Sequence, residues 1–483
     1  MNKKIIKDII SNFYLLTIVL GGLIFFSFLL KRGDLIRSRN RCDKVNIINK
    51  LSCKTSETAD LVFRELNNIR FLFPGRRLEY FEGFEKYKNL STGFKFNYPK
   101  NSNKVKGFLL LSKYNGDNFK PAIELWDLKS QQKVHSWEIN LDKLLNEMTM
   151  EDRSKIRLKH PVLLNDGSII TIPTNSNAPV LRFDMCGNIE KINTDYWYHH
   201  SIEVDQEGLI YIPIANSKLK NPFYKNYEKF KGSKKLGKDI IYRDEAISIL
   251  DKNLNIKEII PLDQIFYSLG LLHDVNSPLN KDWSDPYHLN DIHPFVNKLG
   301  ERILYLSMRN YGLISYNLSK NKVEWVIRGI ADLQHDITPI PDRENSVSIF
   351  DNGVEKNTPM GTFRGNSLIE IKFPKTNFTK FYLGRNVEEQ GLSQNRIYFN
   401  NLPKNFVPNT TTQGRGRFLK NGNIYIEATN QGKLFEYDPL NKKLLWSFLN
   451  KAKSGKIYML GWSRYYEEIP EGLEIKKLKA CEK

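Results

Sequence analysis

Two histidines flank one arginine in a setting that suits the handling of an anion. His288 in Tyr287-His288-Leu289-Asn290-Asp291 and His335 in Gln334-His335-Asp336-Ile337 lie either side of Arg309 in Leu306-Ser307-Met308-Arg309-Asn310, all within a repeated pattern of short apolar strands. A planar guanidinium presents paired donors to sulfate or phosphate oxygens. An imidazole beside it, uncharged near neutral pH, is a nucleophile or a proton carrier. His160 and His200 occupy matching places, each ahead of a glycine turn and an apolar strand (Asp166-Gly167 and Gly208), and His335 stands likewise ahead of residues 346–350. His199 adjoins His200, and His293 follows close behind His288 as its competitor. An isolated histidine is more often a satisfied structural imidazole, which is the reading for His135, outside the pattern.

The elements that must position these residues are strands. A recurrent unit ends an alternating strand in Asp or Asn and places a tryptophan shortly after: Trp126-Asp127 with Trp137, Tyr316-Asn317 with Trp325, Tyr437-Asp438 with Trp446. Related units lack the tryptophan, at Phe183-Asp184 with Gly187, Leu250-Asp251 with Asn255, and a degenerate Ile369-Glu370-Ile371. Asn165-Asp166-Gly167, Gln206-Glu207-Gly208 and Asn421-Gly422-Asn423 are turns that precede further strands. Six such units predict an all-β, six-bladed β-propeller with the tryptophans packed between blades. Rotation relates equivalent positions on successive blades, so histidines far apart in sequence would converge on a central channel.

Composition frames the rest. The 483 residues are 40% apolar and 12% aromatic, enough for a large core, and 26% charged. The net charge of +19 arises from 73 Lys and Arg against 54 Asp and Glu. With no recognition helix or zinc-finger spacing, no nucleic acid partner is expected, and a solvated basic surface is the plain reading. Residues 13–30 form an uncharged apolar run long enough for one membrane span. Lys31-Arg32-Gly33-Asp34 follows where a cleavage site would stand, which predicts an uncleaved signal-anchor helix. The expected layout is a membrane anchor over 1–32, a stalk with some helix over 33–95, the β-propeller over 96–466 and a C-terminal tail over 467–483. Lys31, Arg32, Arg37, Arg39 and Arg41 outnumber Lys3, Lys4 and Lys7, which by itself favours a cytoplasmic domain. Cys42 and Cys53 are close enough to pair after export, whereas Cys186 and Cys481 read as free thiols.

Over roughly residues 96–466 the chain resembles the arylsulfotransferase family. The strings that carry the likeness are Tyr198-His199-His200-Ser201, His288-Leu289-Asn290-Asp291-Ile292, Leu306-Ser307-Met308-Arg309-Asn310, Val323-Glu324-Trp325, Gln334-His335-Asp336, Phe350-Asp351-Asn352-Gly353, Asn421-Gly422-Asn423 and Trp462-Ser463-Arg464-Tyr465, in that order. The resemblance implies a six-bladed propeller that moves a sulfuryl group from an aryl sulfate to a phenolic or other hydroxyl acceptor. It implies no nucleotide sulfate donor, no cofactor and no metal. His335 would be transiently sulfated, with His200, His288 and Arg309 as its catalytic companions. Beyond what the resemblance implies, His199, His160, Asn290, Asp291 and Asp336 are expected to line the substrate site, where each of the two carboxylates either orients an imidazole or forms a turn. The resemblance also implies a domain outside the inner membrane, hence periplasmic, against the flanking charge. Where family members carry a separate small β domain, this chain has its anchor and stalk. Two rival readings are a histidine-ligated metal enzyme and a non-catalytic ligand-binding propeller.

Overall fold

The computed structural model describes residues 79–80, 90–139, 156–173, 178–215, 245–271, 287–355, 362–363, 365–374, 379–383 and 388–481. The chain divides into one unit of Met1–Pro74 and another of Gly75–Lys483. The apolar run at 13–30 and the Cys42 and Cys53 pair lie outside the described residues, among which no helix is long and apolar enough to cross a membrane.

The fold is all-β and propeller-like. Antiparallel sheets dominate: one of four strands closed by a C-terminal strand, one of eight, two of five and another of four. Middle strands such as Ile210–Ala215, Glu245–Leu250, Gly312–Asn317 and Ser346–Asp351 are buried at every position. Both of their faces meet neighbouring sheets, so burial does not alternate along them, and buried polar residues such as Ser248, Ser315 and Ser348 stand among the apolar ones. The recurrent Asp or Asn caps hairpins: Asp127 accepts the N–H groups of Lys129 and Ser130, and Asp184, Asp251, Asn317 and Asp438 repeat the turn. Trp137, Trp325 and Trp446 are buried in three apolar clusters that each join residues of adjacent sheets.

Six strands position the site: β1 (Leu158–Leu163), β2 (Glu203–Val204), β3 (Leu289–Val296), β4 (His335–Pro339), β5 (Arg415–Phe418) and β6 (Arg464–Tyr466). Side chains stitch one to the next by accepting a backbone N–H. His160 takes that of Ile202, Ser201 that of Ile292, Asp291 that of Ile337 and Asp336 that of Gly416. Arg415 then reaches the Ser463 carbonyl, and Arg464 the Pro161 carbonyl, which closes the circuit.

Both ends of the unit are tied in. Gly93–Phe96, at the end of the expected stalk, pairs with Lys443–Leu449, and Glu79–Tyr80 pairs with Ile457–Tyr458. In the tail, Leu473 and Leu478 pack into the cluster that holds Ile169 and Phe183. Cys186 and Cys481 are disulfide-bonded, with Cα atoms 5.2 Å apart, which corrects the expectation of free thiols there. Their sequence separation of 295 hid the pairing from any argument based on spacing.

Candidate active site

Each candidate histidine sits where a circuit strand begins. His160, His200 and His288 have φ of 50°, 59° and 49°, and Trp462, just before β6, has 61°. These left-handed conformations are costly for residues with a Cβ and are characteristic of functional sites. They turn the side chains together. The His200 ring centroid lies 5.0 Å from that of His288 and 6.3 Å from that of His335, and Trp462 packs 5.7 Å from His335 and 5.5 Å from His160. Trp462 is 1% exposed, and its indole N–H has no acceptor among the described residues. Arg309 follows the strand Arg302–Met308, its own N–H bonded to the His288 carbonyl at 2.9 Å. Its charge acts on His335.

Hydrogen bonds fix the tautomer of His335. Its Nδ1 faces two acceptors, the Leu333 carbonyl at 2.9 Å and Asn352 Oδ1 at 2.7 Å. Asn352 cannot turn its amide around, because its Nδ2 already donates to the Thr410 and Gln413 carbonyls at 2.9 and 2.6 Å. Nδ1 therefore carries the proton, and Nε2 keeps its lone pair. Burial, together with the adjacent Arg309 charge, pushes the His335 pKa down to about 3, so the ring is neutral at pH 7. Burial and neighbouring cations also hold His200 and His160 well below the ordinary histidine range.

A second arrangement stands behind His200. Its Nδ1 is 2.8 Å from His199 Nδ1, and His199 Nε2 is 3.5 Å from Glu245, whose other oxygen accepts the Leu289 N–H. Glu245 thus makes an imidazole pair with a carboxylate at its far end. Lys159, next to His160 in β1, has its pKa pushed down to about 7 by burial and by Arg157, and its charge is felt by His200.

The remaining expected residues are held within the frame. His160 accepts the Ile202 N–H on Nδ1, and its Nε2 lies against Arg415 at 2.6 Å and Glu203 at 3.4 Å. Arg415 pairs with Asp336 at 2.9 Å and Arg464 with Glu203 at 2.6 Å, all four buried. Asp291 and Asp336 use carboxylate oxygens to stitch strands, and burial, together with Asp336 and Glu203, raises the Asp291 pKa well above its ordinary value. Asn290 donates to the Gln334 carbonyl at 2.8 Å, and its Oδ1 is buried with no hydrogen-bond partner among the described residues. His293 is coupled to Glu203 rather than placed in the His200, His288 and His335 group. His135 bonds the Met185 carbonyl and packs on Trp137, as expected of a structural histidine. No group of three or more His, Cys, Asp or Glu side chains is arranged to hold a metal among the described residues.

Sequence reasoning passed over Asn352, Lys159, Glu245, Trp462, Arg415 and Arg464 as site residues. Asn352, Trp462 and Arg464 stand inside strings that carry the family likeness, and Arg415 opens its strand after Gln413-Gly414 as His335 opens β4. Glu245 offered no local signal.

A propeller-like protein that gathers neutral imidazoles and an arginine at one end of its strand circuit belongs to a class built to work on an anionic group. The chain is a member of the arylsulfotransferase (ASST) family, whose sequence model matches residues 160–451, and aryl sulfotransferase function in general follows from that membership. Comparison with curated proteins gives no sequence match. Among solved structures it is similar to a protein of unknown function from Bacteroides caccae, at 10% identity and a TM-score of 0.43, covering 75% of this chain and 100% of that one. It is also similar to a chain of a Nidogen/Laminin complex, at 8% identity and a TM-score of 0.40, covering 75% and 98%. These two likenesses are too loose to carry an argument.

Proposed function

We propose that the protein transfers a sulfuryl group from an aryl sulfate to a phenolic or other hydroxyl acceptor through a sulfohistidine at His335, without a nucleotide donor. The observation that carries this reading is the fixed tautomer of His335, a neutral ring with its Nε2 lone pair free beside Arg309. In the first step Nε2 forms a bond to sulfur as the sulfur–oxygen bond to the aryl group breaks, and the electron pair leaves on the phenolate. Positive charge grows on the ring, and the Nδ1–H bonds to Leu333 and Asn352 strengthen with it. Arg309 and His288 hold the sulfuryl oxygens, a preorganised electrostatic role. Lys159 hands the phenolate its proton. In the second step neutral His200, backed by His199 and Glu245, takes the proton of the incoming phenol while its oxygen attacks sulfur and returns the electron pair to Nε2, and passage of that proton from His200 to Lys159 restores both groups for the next turnover.

The eight-stranded sheet counts as two four-stranded units joined where Tyr198 and Trp197 pair with Ile214 and Ala215, and on that count the propeller has six blades. We assign His160, Asp291 and Asp336 to its frame. We also propose that residues 13–30 anchor the chain and that the domain lies outside the cytoplasm, a placement supported by the Cys186–Cys481 disulfide, since such bonds persist in oxidising compartments. A periplasm-only reporter fused after Lys483 would be active if so and silent if the charge rule prevails.

The test of the reaction is release of a coloured phenol from an aryl sulfate by the purified protein, with and without a second phenol and with no nucleotide. Acceptor-dependent release, lost in His335→Ala and accompanied by a sulfuryl group on the peptide carrying His335, is the expected result. Retained release in His335→Ala would remove the sulfohistidine.

A further inference from the structure

Trp462 is set among the histidines by a turn that is gripped on both sides. Its backbone N–H and that of Ser463 donate to the two oxygens of buried Glu427, at 2.9 and 2.7 Å, and the Thr429 hydroxyl donates to the same carboxylate at 2.8 Å. Just before it, Gly461 donates to the Ser112 carbonyl at 2.8 Å and accepts the His160 N–H at 2.6 Å. Glycine is required for that approach, because a Cβ there would lie 2.2 Å from the Leu158 carbonyl oxygen. These partners hold Trp462 in its left-handed backbone conformation, at φ 61°, against the cost of that conformation. The indole they position is unlike the others. Trp137 donates its indole N–H to the Gly167 carbonyl at 3.2 Å and Trp446 to Glu436 at 2.8 Å. Trp325 leaves its indole N–H unpaired, but within an apolar cluster. The Trp462 indole N–H also has no acceptor among the described residues, yet its ring lies 5.5, 5.7 and 6.3 Å from those of His160, His335 and His200. His200 and His288 are partly exposed, whereas His335 and Trp462 are buried deeper in the same group.

We propose that Trp462 is a further catalytic residue, whose indole N–H donates to an oxygen of the sulfuryl group as that group passes to and from His335. The inference rests on the sulfohistidine reading and adds a donor to its site. Three oxygens surround the sulfur in transfer and share its negative charge, so a fixed donor beyond Arg309 and His288 lowers the barrier further. A buried N–H with no protein acceptor is costly in the resting state, and a sulfuryl oxygen would supply the missing acceptor. The indole is suited to that place because it only donates. It cannot be sulfated in place of His335 or take the proton of the incoming phenol, and being uncharged it does not compete with Arg309 for a counter-ion. No bond to Trp462 is made or broken beyond the hydrogen bond.

The test keeps the ring and removes the donor. Benzothienylalanine in place of Trp462 has sulfur where the indole has N–H and nearly the same shape, and Trp462→Phe identifies the Trp462 indole signal in the magnetic resonance spectrum of the isotope-labelled full chain by its loss. The readouts are single-turnover release of nitrophenol from nitrophenyl sulfate, the mass of the peptide carrying His335, and the position of that indole signal as inorganic sulfate is added to saturation, with thermal melts as the check on folding. Expected are a roughly hundredfold slower release in a benzothienyl variant that melts like the parent, and a downfield move of the Trp462 N–H signal of the parent with sulfate. Release within twofold of the parent in the benzothienyl variant, with His335 labelled in both, overturns the donor and leaves the sulfohistidine standing, because a role in packing alone survives that exchange. An active parent with no label on His335 overturns the sulfohistidine, and a slowed benzothienyl variant then supports the donor for a sulfuryl group passing directly to the acceptor.

Discussion

Replacing Asn352 with leucine removes the side-chain acceptor that orders His335 while leaving the imidazole and Arg309 in place. In the resting protein Nδ1–H has two acceptors, at 2.9 Å to Leu333 and 2.7 Å to Asn352, so the backbone carbonyl alone still favours the reactive tautomer after the change. The larger loss falls in the transition state, where the ring becomes cationic and the lost bond is charge-assisted. Such bonds contribute about 1.5–3 kcal/mol, which is roughly a 10- to 150-fold fall in kcat/KM. The leucine also strands the Gln413 carbonyl, whereas that of Thr410 keeps the Asn366 amide as donor, so stability falls by roughly 1–3 kcal/mol and rates must be read on protein shown to be folded. Asn352→Asp separates the two effects. A carboxylate beside Nδ1–H favours the protonated ring and lifts the His335 pKa from about 3 by roughly 1–3 units. Because the proposed attack needs a neutral His335, the acid limb of the kcat/KM profile moves to higher pH by that amount. Stopped-flow release of a coloured phenol across pH 4–9 measures both. An unshifted acid limb in Asn352→Asp, together with a kcat/KM within twofold of the parent in folded Asn352→Leu, would refute the claim that this amide governs the nucleophile.

Arg309→Lys keeps a charge but loses the fork, and a fall in kcat/KM of roughly tenfold or more is expected, since a bidentate contact becomes a single one. Arg309→Gln also removes the main charge acting against protonation of His335, so its acid limb rises, which the same pH profile reads. Asp336→Asn leaves Arg415 buried without its partner at 2.9 Å, and unfolding by urea should show a loss of about 3–5 kcal/mol. Glu436, buried and bonded by Asn423 and Trp446, has its pKa raised to about 7 mainly by burial. Its folded value lies above its unfolded one, so the stability it contributes is full below about pH 4.5 and is lost as pH rises through about 7. Urea midpoints should therefore fall between pH 5 and pH 8, and Glu436→Gln should flatten that slope.

Much of the scaffold was legible because it repeats. The Asp or Asn at the end of a third strand and the tryptophan after it recur by sequence alone, and both do in the fold what turn chemistry and packing require of them. The histidines stood out for the same reason, since His160, His200 and His335 share a place in the repeat ahead of a turn and an apolar strand. What stayed hidden depends on convergence between distant strands. Arg415 meets Asp336 and His160 only because β5, β4 and β1 come together, and no local pattern around Gly414-Arg415-Gly416 marks a buried ion pair. Asp291 and Asp336 were expected at the substrate because they sit beside histidines. In the fold their oxygens take backbone N–H groups of the next strand, a demand that exists only once the strands are side by side.

The buried charges and the neutral histidines are connected parts of one arrangement. A propeller-like fold that brings strand ends together must satisfy their N–H groups without water, and carboxylates are strong acceptors for them. Asp336 and Glu203 then need cations, which Arg415 and Arg464 provide. Those cations, with Lys159 and Arg309, surround imidazoles that are already desolvated, and each addition disfavours a protonated ring. The charges that close the strand circuit, Arg415 and Arg464, therefore keep His160 neutral, while Lys159 acts on His200 and Arg309 on His335, whose neutrality the proposed attack on sulfur requires. A variant that removes a frame cation, such as Arg415→Met, is thus expected to act on the titration of His160 as well as on stability, and the two consequences have a single electrostatic origin.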